Sequence, residues 1–77
     1  MERTLLKNIM QGGVCVVEQI AGLEQAVHKR LIEMGFVKNA KVSVIKNKPK
    51  AKLMLISIRG YLLSLDYNLA QKVQVVV

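Results

Sequence analysis

Few side chains in this sequence could carry covalent or metal chemistry. There is one histidine, His28, one cysteine, Cys15, and five carboxylates, among them Glu18, Glu33 and Asp66. Nucleophilic catalysis needs a base beside the nucleophile. Cys15 lies in a β-branched run and His28 in a helix-like stretch, so nothing local brings them together. An Fe²⁺ or Zn²⁺ site needs several converging His, Cys, Asp or Glu ligands. These residues are scattered, with no spaced pair such as His-x-x-x-His. Gly12-Gly13 lacks the Gly-Lys-Ser/Thr that completes a phosphate-binding loop. Met1, Met10, Met34 and Met54 are far apart and read as fillers of core gaps rather than as a soft-metal site. No catalytic residue, metal ligand or cofactor is expected: His28 reads as a helix-surface residue and Cys15 as a small buried hydrophobe.

Charge is the more informative signal. The net charge is +7 over 77 residues, which favours an acidic partner. Lys38, Lys41, Lys46, Lys48, Lys50 and Lys52 form the densest run. Such a run is either a solvated loop with its strand ends or a docking patch for an acidic protein or an anionic membrane face. A small barrel hides only one face of each strand. If Val42, Val44, Met54, Ile56 and Ile58 point inward, then Ile45, Leu53 and Leu55 point outward, and Leu62 and Val76 add to that surplus. Lys46, Lys48, Lys50, Lys52, Leu53 and Leu55 are therefore the candidate partner-binding residues.

The elements that must position them follow from periodicity. Leu23, Val27, Leu31 and Met34 share one helical face, so a helix is expected from about Leu23 to Met34, with Gly22 as its N-cap and Gln25 at its third position. Gly35 suits the left-handed residue that ends a helix, and Phe36 then packs back on Leu31. Glu33 opposes the helix dipole in the last turn, where Lys29 and Arg30 can compensate it. Leu6, Ile9 and Gly12 suggest an extended or single-turn opening segment, followed by a turn at Gly12-Gly13. Strands are expected at Val14–Ile20, Lys41–Lys46, Leu53–Ile58, Tyr61–Leu65 and Val73–Val77. Val37–Ala40 reads as a turn in which Asn39 tolerates the left-handed region. Asn47–Lys52 reads as a polar loop and Arg59-Gly60 as a tight hairpin turn, and Asp66 can cap a short turn over Tyr67–Gln71. Five strands, one helix after the first and one helical turn before the last make a mainly β protein, a small, partly open barrel.

Length and composition bound the rest. Residues 1–77 read as one domain with a modest core, and the apolar fraction of 52% excludes a disordered chain. A lone cysteine fits a reducing compartment. Lys7 and Asn8 interrupt the first apolar run, so no secretory leader is read, and no stretch is long and apolar enough to span a membrane. The expected location is the cytoplasm.

The order of these residues resembles the FeoA family, the small accessory protein of bacterial ferrous iron uptake. The resemblance runs through Leu6, Ile9, Gly12, Val17 and Ile20 and is densest at Arg30-Leu31-Ile32-Glu33-Met34-Gly35-Phe36. It continues through Val42, Val44, Gly60, Leu63, Leu65 and Ala70 to Val73-Gln74-Val75. Lys38-Asn39 stands where the family often has Pro-Gly, and Gln11 where it often has proline. The resemblance implies an SH3-like five-stranded barrel and a non-enzymatic role in bacterial iron homeostasis beside FeoB, the membrane iron permease with a cytosolic GTP-hydrolysing domain. The competing reading is a small basic nucleic-acid-binding barrel. Such barrels stack bases on aromatic side chains, and here only Phe36, Tyr61 and Tyr67 exist, so no nucleic acid is expected as the partner.

Overall fold

The structure is a computed structural model that describes residues 2–22 and 24–77. Six strands form one antiparallel sheet: β1 (Arg3–Leu5), β2 (Val14–Ile20), β3 (Lys41–Lys48), β4 (Leu53–Ile58), β5 (Tyr61–Asp66) and β6 (Val73–Val76). Their order across the sheet is β1-β6-β2-β3-β4-β5. A 3₁₀ turn, Leu6–Asn8, follows β1; helix α1 (Gln25–Glu33) follows β2; and helix α2 (Tyr67–Ala70) joins β5 to β6. The β-branched and alternating runs become the strands because one face of each can be buried. Val42, Val44, Met54, Ile56, Ile58, Leu65, Val73 and Val75 all reach the core, as the alternation predicts for the first five.

The helix ends as expected. Gly35 has φ +105°, the Gly35 N–H donates to the Ile32 carbonyl and the Phe36 N–H donates to the Leu31 carbonyl, both at 3.0 Å. This double closure satisfies carbonyls that a helix end otherwise leaves free, and it brings Phe36 and Leu31 together in the core. The hairpin turn and the short-helix cap also form. Arg59 and Gly60 both have positive φ, and Asp66 Oδ1 accepts from the Leu69 N–H at 2.9 Å. Asn39 has φ +74° in its turn.

Several expectations are corrected. The helix starts two residues late, at Gln25, with Glu24 as its flanking residue and no side-chain cap; Gly22 is not the N-cap, and Gln25 is first rather than third. The Ala21 N–H donates to the Lys72 carbonyl, so the chain leaves β2 tied to the approach to β6, and Glu24 is still extended. Leu23 lies outside the described residues. The opening segment contributes a sixth strand, β1, because β6 offers it a ladder of three residue pairs. Glu33 does not pair with Lys29 or Arg30: all three are exposed, where a solvated ion pair gains little. The ion pair among the described residues joins Arg3 to Glu18 at 3.0 Å. Met54 is buried and Met34 half-buried, but Met10 is 79% exposed on a turn and fills no gap. Met1 lies outside the described residues.

The last correction decides which way the lysines point. Asn47 and Lys48 belong to β3, and the turn begins at Pro49. Between Val44 and Lys46 the β3–β4 register slips, with Val44 opposite Ile56 but Lys46 opposite Leu55. Ile45 is the extra residue of a bulge. Strict alternation from Val42 and Val44 would have turned Lys46 and Lys48 into the core. The bulge turns them outward and points Asn47 inward instead, where its amide donates to the Lys7 and Ile9 carbonyls at 3.1 and 2.7 Å and its oxygen accepts from the Tyr67 hydroxyl.

Candidate functional site

The bulge assembles the site. On the outer face of β3, β4 and β5 the register sets Lys46, Leu55 and Ser64 in one cross-strand row and Lys48, Leu53 and Asp66 in the next. Lys46, Lys48, Leu53, Leu55 and Ser64 line a shallow concavity of about 250 Å³. Leu53 is 42% exposed and Leu62, further along β5, 66%. Lys50 and Lys52 sit on the exposed turn joining β3 to β4, held by hydrogen bonds from the Ala51 N–H to the Lys48 carbonyl and from the Lys52 N–H to the Pro49 carbonyl. The structure thus brings four of the six candidate residues into one concave surface and leaves the other two on the adjoining β3–β4 turn.

Chemically this is an apolar floor between ammonium groups. It can bury an apolar side chain while pairing carboxylates at its edge. Ser64 was missed by sequence reasoning because a lone serine on a strand carries no signal; only the register places it beside Leu55. The outward turn of Lys46 and Lys48 was legible in principle. Lysines at both even positions after Val44 conflict with an inward face, and a bulge relieves that conflict.

The chemistry-bearing residues stay apart. Cys15 is 2% exposed in the core, and burial pushes its thiol from 9.0 up to about 11, which makes it a poor nucleophile. His28 is exposed on α1. Among the described residues no three His, Cys, Asp or Glu side chains converge as a metal site would require. The aromatic residues do not form a stacking platform. Phe36 is buried and the hydroxyl of half-buried Tyr67 is bonded to Asn47, which leaves Tyr61 exposed alone.

Leu31, Gly35, Phe36 and Gly60 serve the frame. Gly35 is required by its φ of +105°, and a Cβ there would lie 3.1 Å from Cδ of the exposed Arg59 side chain, which would have to shift slightly. Glu33 instead reaches the rim of a second concavity, of about 330 Å³, between the end of α1 and the β4–β5 hairpin.

Comparison with known proteins gives this geometry a family setting. The FeoA domain model matches residues 4–77. No curated protein matches the chain. The FeoA of Stenotrophomonas maltophilia was solved as a complex with zinc and put forward as a prokaryotic SH3 domain protein acting as a bacterial ferrous iron transport activating factor. It is 26% identical, with a TM-score of 0.84 over 95% of this chain and 89% of that one. The FeoA protein of Chlorobium tepidum is 29% identical, with a TM-score of 0.82 over 94% of this chain and 68% of that one. A manganese-dependent transcriptional repressor superposes with a TM-score of 0.90 at 17% identity, covering 99% of this chain but 41% of its own, and shares the fold alone. The architecture is SH3-like, with β1 added to the five strands that the sequence pattern predicts.

Proposed function

Because this chain belongs to the FeoA domain family, whose model matches residues 4–77, we propose that it is a non-enzymatic accessory protein of ferrous iron uptake, acting in the cytoplasm by docking on the cytosolic part of a FeoB-like permease. The observation that carries this reading is the basic and apolar surface of Lys46, Lys48, Leu53 and Leu55, gathered by the bulge at Ile45. Charge steers encounter with an acidic partner, and the leucines supply the area that holds it. Lys50 and Lys52 extend the positive charge onto the adjoining turn. A permease surface that is acidic and lies near anionic lipid attracts the same lysines twice, since each basic side chain adds about 1 kcal/mol close to such a membrane. Iron is the cargo of the partner and is not held by this chain.

Co-purification with the permease's cytosolic region, with and without guanine nucleotide, tests the reading. A complex is expected that weakens about tenfold at low salt when Lys46, Lys48, Lys50 and Lys52 are all changed to glutamine, with the difference shrinking as salt rises. Failure to form any complex would remove the proposal. Anaerobic titration with Fe²⁺ tests the second clause, and stoichiometric micromolar binding would overturn it.

A further inference from the structure

The two edges of the sheet differ in how they are protected. β1 is three residues long and carries Arg3, which is paired with Glu18. β5 is six residues long, Tyr-Leu-Leu-Ser-Leu-Asp, with no proline or lysine. Its ladder to β4 runs through six consecutive pairs without a bulge. A long, regular, apolar edge strand is an unblocked template for another strand.

The register says which backbone groups are open. Arg59 and Gly60, at φ +52° and +81°, make the two-residue turn that twists with its strands. In such a hairpin the residues flanking the turn, Ile58 and Tyr61, exchange hydrogen bonds, and the pairs then alternate. Leu63 and Leu65 therefore bond to β4, while the N–H and C=O of Leu62 and Ser64 point away from it. No strand lies on that side of β5, and no other backbone bond reaches Leu62 or Ser64 among the described residues. Beyond the edge lies the concavity of about 330 Å³ lined by Met34, Gly35, Tyr61 and Leu63, with Glu33 and Arg59 at its rim.

We propose that β5 is a strand-addition site, in which an extended segment of the transport partner pairs with the Leu62 and Ser64 backbone. Its alternate side chains enter the groove between Leu63 and Met34, and the others join the outer face beside Leu62 and Leu55. This rests on the docking reading above and says how the partner is held: main-chain bonds give affinity and the groove selects side chains. The occupant is a partner segment rather than a second copy, because two chains of net charge +7 repel each other. Two strands inward on the same outer face stand Lys46 and Lys48, whose charge favours an acidic segment with apolar residues at alternate positions.

Amide hydrogen exchange followed by NMR, with and without the permease's cytosolic region, decides the matter. The Leu62 and Ser64 amides are expected to slow at least tenfold in the complex, while Leu63 and Leu65, already bonded to β4, change little. Ser64→Pro removes an outward N–H without touching the β4 ladder, so it should weaken binding at least tenfold, and Ser64→Ala should not. If Ser64→Pro fails to fold, the exchange measurement on the unaltered chain is decisive. A complex in which the Leu62 and Ser64 amides exchange as in the free protein overturns strand addition and leaves docking standing. Absence of any complex overturns both. Protection of these amides that grows with concentration in the protein alone assigns the edge to a second copy and overturns the proposal.

Discussion

Leu31 and Phe36 at the end of α1 are 0% and 1% exposed, and the backbone around them closes on itself. Leu53 and Leu62 on the outer sheet face stand 42% and 66% exposed beside an edge whose backbone groups are open. All four are large apolar residues. The difference is capacity. A 77-residue barrel has one interior, and once the helix stop and the inner strand faces fill it, further leucines remain outside. The inner set contributes stability, and the outer set is free to contribute recognition.

Breaking the inner region should have the largest effect. Phe36→Ala removes a fully buried ring and should cost about 3–5 kcal/mol in urea unfolding. Leu62→Ser should stay within about 0.5 kcal/mol, as surface changes usually do, and show itself only in partner binding. Equal losses for the two would erase the distinction. Asn47→Ala leaves the Tyr67 hydroxyl and the Lys7 and Ile9 carbonyls without their partner and should cost about 1–3 kcal/mol by the same measurement. Asp66→Ala deletes the cap on α2 at the end of the β5 edge and should cost about 1 kcal/mol.

The last effect appears only at alkaline pH. Burial raises the Cys15 thiol from 9.0 to about 11, so the unfolded chain gives up this proton first. Its contribution is fully present below pH 9 and is lost as pH rises toward 11. Alkaline unfolding curves of the unaltered chain should therefore fall more steeply in that window than those of Cys15→Ala.

The frame was largely legible because its signals are local. Gly35 after Met34, alternation along β4, Arg59-Gly60 between two strands and Asp66 before a short helix each name their structure through a few neighbouring residues. The start of α1 was misplaced because Gly22 is a permissive cap, while the bond from Ala21 to Lys72 that holds the chain extended spans 51 residues. β1 escaped notice for the same reason, since its pairing belongs to β6 at the far end of the chain.

The sequence by itself determined the residues to be buried, the places where the chain must turn and the excess of positive charge. Only the tertiary structure decided that the bulge those lysines call for would fall at Ile45, that Lys46 and Lys48 would stand beside Leu53 and Leu55, and that β5 would be left as an open edge. Side-chain preference is a property of each residue, whereas register and strand order depend on which distant segment completes each ladder.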